Sequence, residues 1–423
     1  MSDSLRRSYH DLRNAVVKHP LVVCILAPVA LSVLSWLLPL GDNPVLQGFQ
    51  ASARTFAPAG LIIVGIYYAL AALVADAGYR WGRRASGLRW LERTSVNTLE
   101  WASAIIGLIG TAYAVGVAWK TTGINPVEAA RTAQFNLFRA GIPDSAGFAT
   151  LRYTSTVAGG ILLGRLIGWT RLSIARDGVA VLAFLMTLAL GSRLVIIAAL
   201  SIGVATSLAF RPMPAWTRRR VLTNVLTATI LITAIVSMSW VRTAGTYREA
   251  GQDQVWQPAA YQVRAYLAAP MQGTVATADA LANGTLHPTW TLADVAAAAA
   301  PSFVVAKDRP PVVSISDQEK ITGINWGAFS TNGSFTMAIA AAGPLALLSL
   351  AVWLLVFALA VGITSTSGPV GLVCAGAFAF PFLDFWRMSE FTQGQALYLP
   401  ISILSIAGAQ AIVGSLKRRR AGT

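Results

Sequence analysis

Charged residues are scarce in this chain, and their scarcity fixes its class. Only 12% of the 423 residues are Asp, Glu, Lys or Arg, whereas 55% are hydrophobic. A soluble globular domain carries roughly 25% charged residues. The composition therefore excludes an ordinary soluble domain and indicates a polytopic membrane protein.

Cysteine and histidine are also rare, which narrows the chemistry. The two cysteines, Cys24 and Cys374, lie inside apolar runs, so a disulfide framework and a cysteine-based metal site are excluded. The three histidines and the scattered carboxylates form no compact metal-binding cluster. The sequence has no GxGxxG loop, P-loop or HExxH motif, and we see no internal repeat. Neither a metal nor an organic cofactor is predicted.

Acidic residues are outnumbered: 18 Asp and Glu stand against 33 Lys and Arg, a formal net charge of +15. Such an excess is often a sign of nucleic-acid binding. Here the basic residues cluster at the ends of apolar runs, as the positive-inside rule requires. The predicted partner is therefore the lipid bilayer, and no nucleic acid is expected.

Apolar runs predict ten spanning helices, each near the roughly 20 residues that a bilayer requires. The spans are 20–40, 56–76, 98–119, 149–168, 174–190, 194–210, 221–241, 334–362, 368–384 and 396–414. The eighth is long enough to tilt or to begin as a surface helix. The predicted fold class is an all-α polytopic membrane protein with about ten transmembrane helices, because a spanning backbone must satisfy its own hydrogen bonds.

Basic residues also predict the orientation and the domain organisation. Lys and Arg concentrate in segments that include 80–84, 218–220 and 417–420, which places both termini in the cytoplasm. Two termini on one side require an even number of spans, and ten is even. The membrane domain then consists of residues 1–241 and 333–423, separated by a large extracytoplasmic loop, 242–332, that contains short helices.

Two extracytoplasmic segments carry helical patterns. In 242–332, Tyr247–Leu267 predicts an amphipathic helix, with Pro270, Gly273 and Gly284 breaking the segment that follows. Thr289–Ala300 is a second helix candidate in the same loop. In the outer loop 120–148, Pro126–Arg139 predicts a short interfacial helix with Phe135 and Phe138 at the lipid boundary.

Arginines on the outer side point to an anionic ligand. Arg193 lies in a turn of about three residues between two apolar runs, a depth where charge is costly and usually functional. A guanidinium offers several donors to a phosphate, so a lipid phosphate is the predicted substrate group. The other outer candidates are Arg139, Arg152, Arg242, Arg248 and Arg264. The alternative for each is snorkelling to the lipid headgroups, and for Arg165, near the inner end of span four, snorkelling is preferred.

A transfer to a sugar hydroxyl would also need a general base. His287 is the one outer histidine, and its reference pKa suits that role. The acidic alternatives are Glu249, Asp253, Asp317, Glu319, Asp384 and Glu390. Aromatic side chains of the large loop, Tyr266 among them, either stack on sugars or anchor the loop at the interface.

The order of these features resembles the Wzy-type O-antigen or capsule polymerases, over roughly residues 125–400. NLFRAGIPDSAGF, with Arg139, precedes an apolar span, and LALGSRLVIIAAL, with Arg193, follows. A large loop then opens with a Tyr…Pro pattern at Tyr266 and Pro270 and closes with NWGAFSTNGSFTMAIAAAG. Such polymerases often carry a Tyr-x-Asp-Phe-Gly-like stretch at that end, and this chain departs from it in having no Asp there.

The resemblance implies a metal-independent, inverting glycosyltransferase in the bacterial cytoplasmic membrane. Its donor and acceptor would be undecaprenyl-diphosphate-linked oligosaccharides on the outer leaflet, and a chain-length regulator is a further candidate partner. Arg139 and Arg193 would bind the diphosphate of donor or acceptor. With His287 they are the predicted catalytic residues. Arg152, Arg242, Arg248, Arg264 and Tyr266 are the predicted substrate-binding residues. The alternatives are a ligase-like glycan transferase and a transporter or flippase of lipid-linked saccharide, the latter disfavoured by the lack of a repeat.

Overall fold

The computed structural model describes residues 18–38, 57–131, 135–142, 147–168, 170–190, 194–210, 256–305, 311–324 and 333–421, with positions 229 and 233. This part of the chain is 82% helical and contains no strand. Its first helices are α1 (Pro20–Leu37), α2 (Pro58–Arg84), α3 (Arg89–Glu92), α4 (Val96–Thr122), α5 (Pro126–Arg131) and α6 (Phe135–Ala140). A 3-10 helix, Phe148–Tyr153, then leads directly into α7 (Thr154–Gly168).

The other helices of the described ranges lie between Ile174 and Ala421. They are α8 (Ile174–Leu190), α9 (Leu194–Phe210), α10 (Trp256–Ala282), α11 (Leu292–Ala299), α12 (Ile315–Thr322), α13 (Ser334–Ala342), α14 (Ala346–Ser365), α15 (Gly368–Asp384) and α16 (Gly394–Ala421).

Five of the described helices are long and apolar enough to cross a membrane. They are α1, α2, α4, α14 and the Gly394–Lys417 part of α16; α9 and α15 are apolar but shorter. The prediction of an all-helical membrane protein is confirmed at this level, whereas the count of ten spans stays a prediction. The seventh predicted span, 221–241, lies outside the described residues apart from positions 229 and 233.

The eighth predicted span, 334–362, is two helices. α13 ends at Gly343, whose φ of 65° lies in the left-handed region, and α14 begins at Ala346. A Cβ atom on Gly343 would stand 2.3 Å from the Trp290 ring, so only glycine fits there. α13 is also largely buried and is therefore not a surface helix.

The chain divides into two compact units. The first unit consists of Met1–Ala85, Arg264–Gly362 and Pro381–Thr392. The second unit consists of Ser86–Val263, Ile363–Phe380 and Gln393–Thr423.

The first unit encloses the main part of α10 between α1, α2 and α13. Ser32 Oγ of α1 donates to the Leu267 carbonyl at 2.6 Å, and Thr277 and Thr336 share a hydroxyl contact of 3.0 Å. The prediction that Pro270 and Gly273 break this segment is wrong, because α10 runs through both to Ala282. Packing on several sides holds the helix together across the missing proline N–H. The chain turns only at Gly284, where φ is 71°.

The second unit is built around α7, which packs against α4, α8 and α9. Close approach depends on small residues: a Cβ atom on Gly107 of α4 would stand 2.6 Å from the Ser155 nitrogen. One on Gly160 of α7 would stand 2.5 Å from Ile202. Consecutive helices run in opposite directions. At one end of the unit, the start of α7 therefore lies beside the end of α8. At the opposite end of the unit, the end of α7 lies beside the start of α8.

Candidate functional site

The 3-10 helix that leads into α7 contributes to a buried apolar cluster, which joins several segments of the second unit. Phe138 of α6, Ile142, Ala149 of the 3-10 helix and Leu190 at the end of α8 share this cluster with residues of α4. Two segments that carry predicted site arginines, Arg139 and Arg152, therefore meet here. We call this region the arginine end. Arg193 lies three residues beyond Leu190, outside the described residues.

The same cluster corrects the prediction for the outer loop 120–148. Pro126–Arg131 and Phe135–Ala140 are helical, and residues 132–134 between them lie outside the described residues. Phe138 is fully buried in the cluster and does not face lipid. Arg139, one residue later, is half-buried.

Arg152 is a buried arginine whose charge has no acidic partner among the described residues. Its residue is only 8% exposed. Nη1 donates to the Ala149 carbonyl at 3.3 Å, and Nη2 donates to Tyr153 Oη at 2.9 Å. The guanidinium lies over the Tyr153 ring, 4.6 Å from its centroid. Nε is buried and makes no hydrogen bond within the part of the chain that the structure describes. A cation in this state favours an anion beside it.

The opposite end of the second unit shows how the same helices neutralise buried arginines. Arg165 of α7 contacts Glu100 of α4 at 3.1 Å, and Arg176 of α8 contacts the same carboxylate at 3.0 Å. Asp177 completes a group of two acids and two arginines, and Asn97 Oδ1 accepts from Arg165. The preference for snorkelling at Arg165 is therefore wrong. Glu100 is fully buried, and withdrawing Arg165 would leave it with less compensation.

The other predicted site residues lie elsewhere. Arg264 and Tyr266 are half-buried in α10 of the first unit, where Ser35 Oγ donates to the Arg264 carbonyl at 3.1 Å. His287 is exposed in the turn after α10. Arg242 and Arg248 lie outside the described residues. The structure thus brings Arg139 and Arg152 into one region and places Arg264, Tyr266 and His287 in the other unit.

The first unit contains a cluster of charged side chains, of which the sequence analysis names only the two acids. Arg387 binds Asp384 through two contacts, Nε to Oδ1 at 2.9 Å and Nη2 to Oδ2 at 2.5 Å. Its Nη2 also lies 3.5 Å from Glu390 Oε1. Asp384 and Glu390 were possible general bases, whereas Arg387 was not a candidate. In the sequence, Asp384, Arg387 and Glu390 follow one another at intervals of three residues at the end of an apolar run. This spacing could have indicated that the three charged side chains interact.

Burial shapes the protonation of this cluster. It raises the pKa of Glu390 to about 8, with Asp384 adding to the rise and Arg387 opposing it. Asp384 and Glu390 raise the pKa of Arg387, so the guanidinium stays charged. One buried cation thus faces two carboxyl groups, and a proton on Glu390 balances the charge.

Neighbouring backbone holds the cluster in place. The Gly333 N–H donates to the Arg387 carbonyl at 3.0 Å, and Tyr68 Oη donates to the Trp386 carbonyl at 3.3 Å. Within the described ranges, no group of three His, Cys, Asp or Glu side chains is arranged to hold a metal ion. No family model, curated protein or solved structure matches this chain.

Proposed function

We propose that this chain is an integral membrane glycosyltransferase that polymerises undecaprenyl-diphosphate-linked oligosaccharide repeat units. The reaction would take place at the outer leaflet of the bacterial cytoplasmic membrane, with both termini cytoplasmic. The order of arginine-bearing loops along the sequence supports this proposal. The observation that carries it is the buried charge of Arg152, which no acidic side chain of the described ranges compensates.

Arg152 differs from Arg165 and Arg176 in the charge of its surroundings. Elsewhere in the second unit, Arg165 and Arg176 are paired with two carboxylates. Arg152 is as deeply buried, yet among the described residues its partners are all neutral and its Nε has no acceptor. A diphosphate would supply both the missing negative charge and the missing acceptor oxygens. Such a site also stabilises the diphosphate as a leaving group, because negative charge develops there during transfer.

Arg139 and, by prediction, Arg193 supply the additional donors. Arg139 lies one residue from the buried Phe138 anchor, so α6 fixes its backbone at the arginine end. Arg193 follows shortly after Leu190, which belongs to the same cluster. Several arginines around one diphosphate would hold it without a metal ion. The donor and acceptor glycans are the proposed partners, and a chain-length regulator is a further one.

The test is polymerisation by the purified chain in proteoliposomes supplied with lipid-linked repeat units. We expect wild type to give a ladder of products and Arg152→Gln to lose roughly tenfold to a hundredfold in rate, as for a lost hydrogen bond to a charged group. Arg131→Gln is the matched control, since Arg131 is an exposed arginine of α5.

Two results would overturn the proposal. An Arg152→Gln variant that polymerises at the wild-type rate would remove the anion site. A wild-type chain that moves the lipid-linked glycan across the bilayer, or hands it to a different acceptor without extending it, would show another activity. These products separate by chain length and by the lipid that carries them.

A further inference from the structure

Three hydroxyl groups from three helices converge behind Arg152. Thr187 Oγ1 of α8 lies 3.1 Å from the Arg152 carbonyl oxygen, and Ser155 Oγ of α7 lies 2.7 Å from the same oxygen. Ser155 Oγ is also 2.6 Å from Thr187 Oγ1, and Thr111 Oγ1 of α4 is 2.9 Å from it. All three side chains are fully buried. We call this group the hydroxyl cluster.

Thr187 is the centre of the hydroxyl cluster. When Thr187 donates to the Arg152 carbonyl, its two lone pairs can accept from Ser155 and Thr111. Every hydroxyl hydrogen in the group then has an acceptor, and Thr187 takes part in three hydrogen bonds. A buried threonine can donate its hydroxyl hydrogen to a carbonyl of its own helix without any contact to another element. Thr206 does so with the Ile202 carbonyl at 2.6 Å. Thr187 instead bonds a backbone group of another element.

The position of Arg152 explains why this bond matters. Arg152 is the fifth residue of the 3-10 helix, just before α7 begins at Thr154. No carboxylate of the described segments orients its guanidinium. Its direction therefore depends on where the backbone stands and on the contacts with Ala149 and Tyr153. The hydroxyl cluster fixes the backbone at the same residue that carries the charge.

We propose that Thr187 is a positioning residue for the diphosphate site. Through the Arg152 carbonyl, it sets the orientation in which the guanidinium presents Nε to the anion. This inference rests on the proposed function, because it gives Arg152 an anionic ligand.

The experiment compares Thr187→Val, Thr187→Ser and the control Thr206→Val in the purified full-length chain. Valine keeps the shape of threonine and removes the hydroxyl. Thr206 is as buried as Thr187 and lies in the same unit, but it bonds only its own helix in the described structure. The probe is farnesyl diphosphate, titrated in detergent by calorimetry. The melting temperature without ligand is measured alongside.

We expect Thr187→Val to weaken the binding of farnesyl diphosphate about tenfold, the effect of one hydrogen bond. Thr187→Ser should restore affinity to near the wild-type value, because serine keeps the hydroxyl. Thr206→Val should bind like wild type even where its melting temperature falls as far as that of Thr187→Val. In polymerisation, the KM for the donor should rise in Thr187→Val.

Several results would overturn the inference. Wild-type affinity in Thr187→Val would show that Arg152 is oriented without the hydroxyl. Equal weakening in Thr187→Val and Thr206→Val would indicate general loosening of the unit. A Thr187→Ser variant as weak as Thr187→Val would mean that the hydroxyl is not the active group. A wild-type chain that binds no diphosphate probe would remove the proposed function itself, and the positioning role with it.

Discussion

At the scale of single residues, the buried arginines have two kinds of surroundings. Arg165 and Arg387 are each held by carboxylates on neighbouring turns or helices. Arg152 is held by a carbonyl, a tyrosine hydroxyl and an aromatic face. The first arrangement stabilises a fold whose charges are already balanced. The second leaves a cation with spare donors, which is what a binding site for an anion requires.

Glu390 gives a prediction about pH at this scale. Its folded-state pKa of about 8 lies above the ordinary value of 4.5, so the folded chain holds a proton that the unfolded chain releases. Between pH 4.5 and pH 8 the stability should therefore fall as pH rises, and it should level off above that window. Glu390→Gln imitates the protonated group and should make the slope shallower.

The measurement is the melting temperature of wild type and Glu390→Gln across that pH window. Glu319→Gln is the control, because Glu319 is a carboxylate of α12 in the same unit and is only half-buried. Identical pH profiles in wild type and Glu390→Gln would contradict the prediction.

At the scale of helices, the ion group at the end of the second unit opposite the arginine end connects α4, α7 and α8. Removing Arg165 leaves the buried Glu100 and Asp177 with one arginine. We expect Arg165→Met to destabilise the chain by about 3–5 kcal/mol, the usual effect of breaking a buried ion pair. The double variant Arg165→Met, Glu100→Gln restores the charge balance and should be less destabilised than Arg165→Met alone. Additive losses in chemical denaturation would argue against the coupling.

Gly110 of α4 gives a second prediction at this scale. A Cβ atom there would stand 2.3 Å from the Arg152 nitrogen, and the obstructing atom is backbone. Gly110→Ala should therefore displace the 3-10 helix, cost about 1–3 kcal/mol in stability and weaken binding at the proposed diphosphate site. Gly116→Ala, on the same helix with nothing described within 4 Å of the added atom, should be neutral or slightly stabilising. Equal effects of the two variants on melting temperature would refute this account.

The helices also show what the sequence can predict. The predicted spans 174–190, 194–210 and 368–384 coincide with α8, α9 and α15, because each apolar run is bounded by polar residues or glycine. The break at Gly343 was missed because it depends on the ring of Trp290, which is distant in sequence. The continuity of α10 through Pro270 was missed for the same reason, since its neighbours come from other parts of the chain.

In the candidate site, too, the sequence predicts the features that depend on local pattern and misses those that depend on contacts between distant residues. Arg139 and Arg152 are visible in the sequence as cations near apolar runs, so both can be named as candidates without a structure. Their role in binding a diphosphate stays a prediction. The pairing of Arg165 and Arg176 with Glu100, and the convergence of Thr111, Ser155 and Thr187, depend on contacts between helices. No periodicity in a single sequence encodes such contacts.

At the scale of the whole molecule, the orientation is open to direct test. We expect both termini in the cytoplasm and His287 on the outer side. In a background with Cys24→Ala and Cys374→Ala, a membrane-impermeant maleimide should label His287→Cys in intact cells. It should label Thr423→Cys only after the membrane is opened. Labelling of Thr423→Cys in intact cells would contradict the even number of spans.

The buried helix α10 has a consequence for how the protein is made. It is 27 residues long, but it is not among the helices apolar enough to cross a membrane. Its interior polar groups depend on partners elsewhere: Gln272 accepts from Trp36 of α1, and Thr277 meets Thr336 of α13. α1 is synthesised long before α10, and α13 after it. The helix can therefore reach its final place only once later segments have emerged, so the first unit must complete its assembly after most of the chain has been translated.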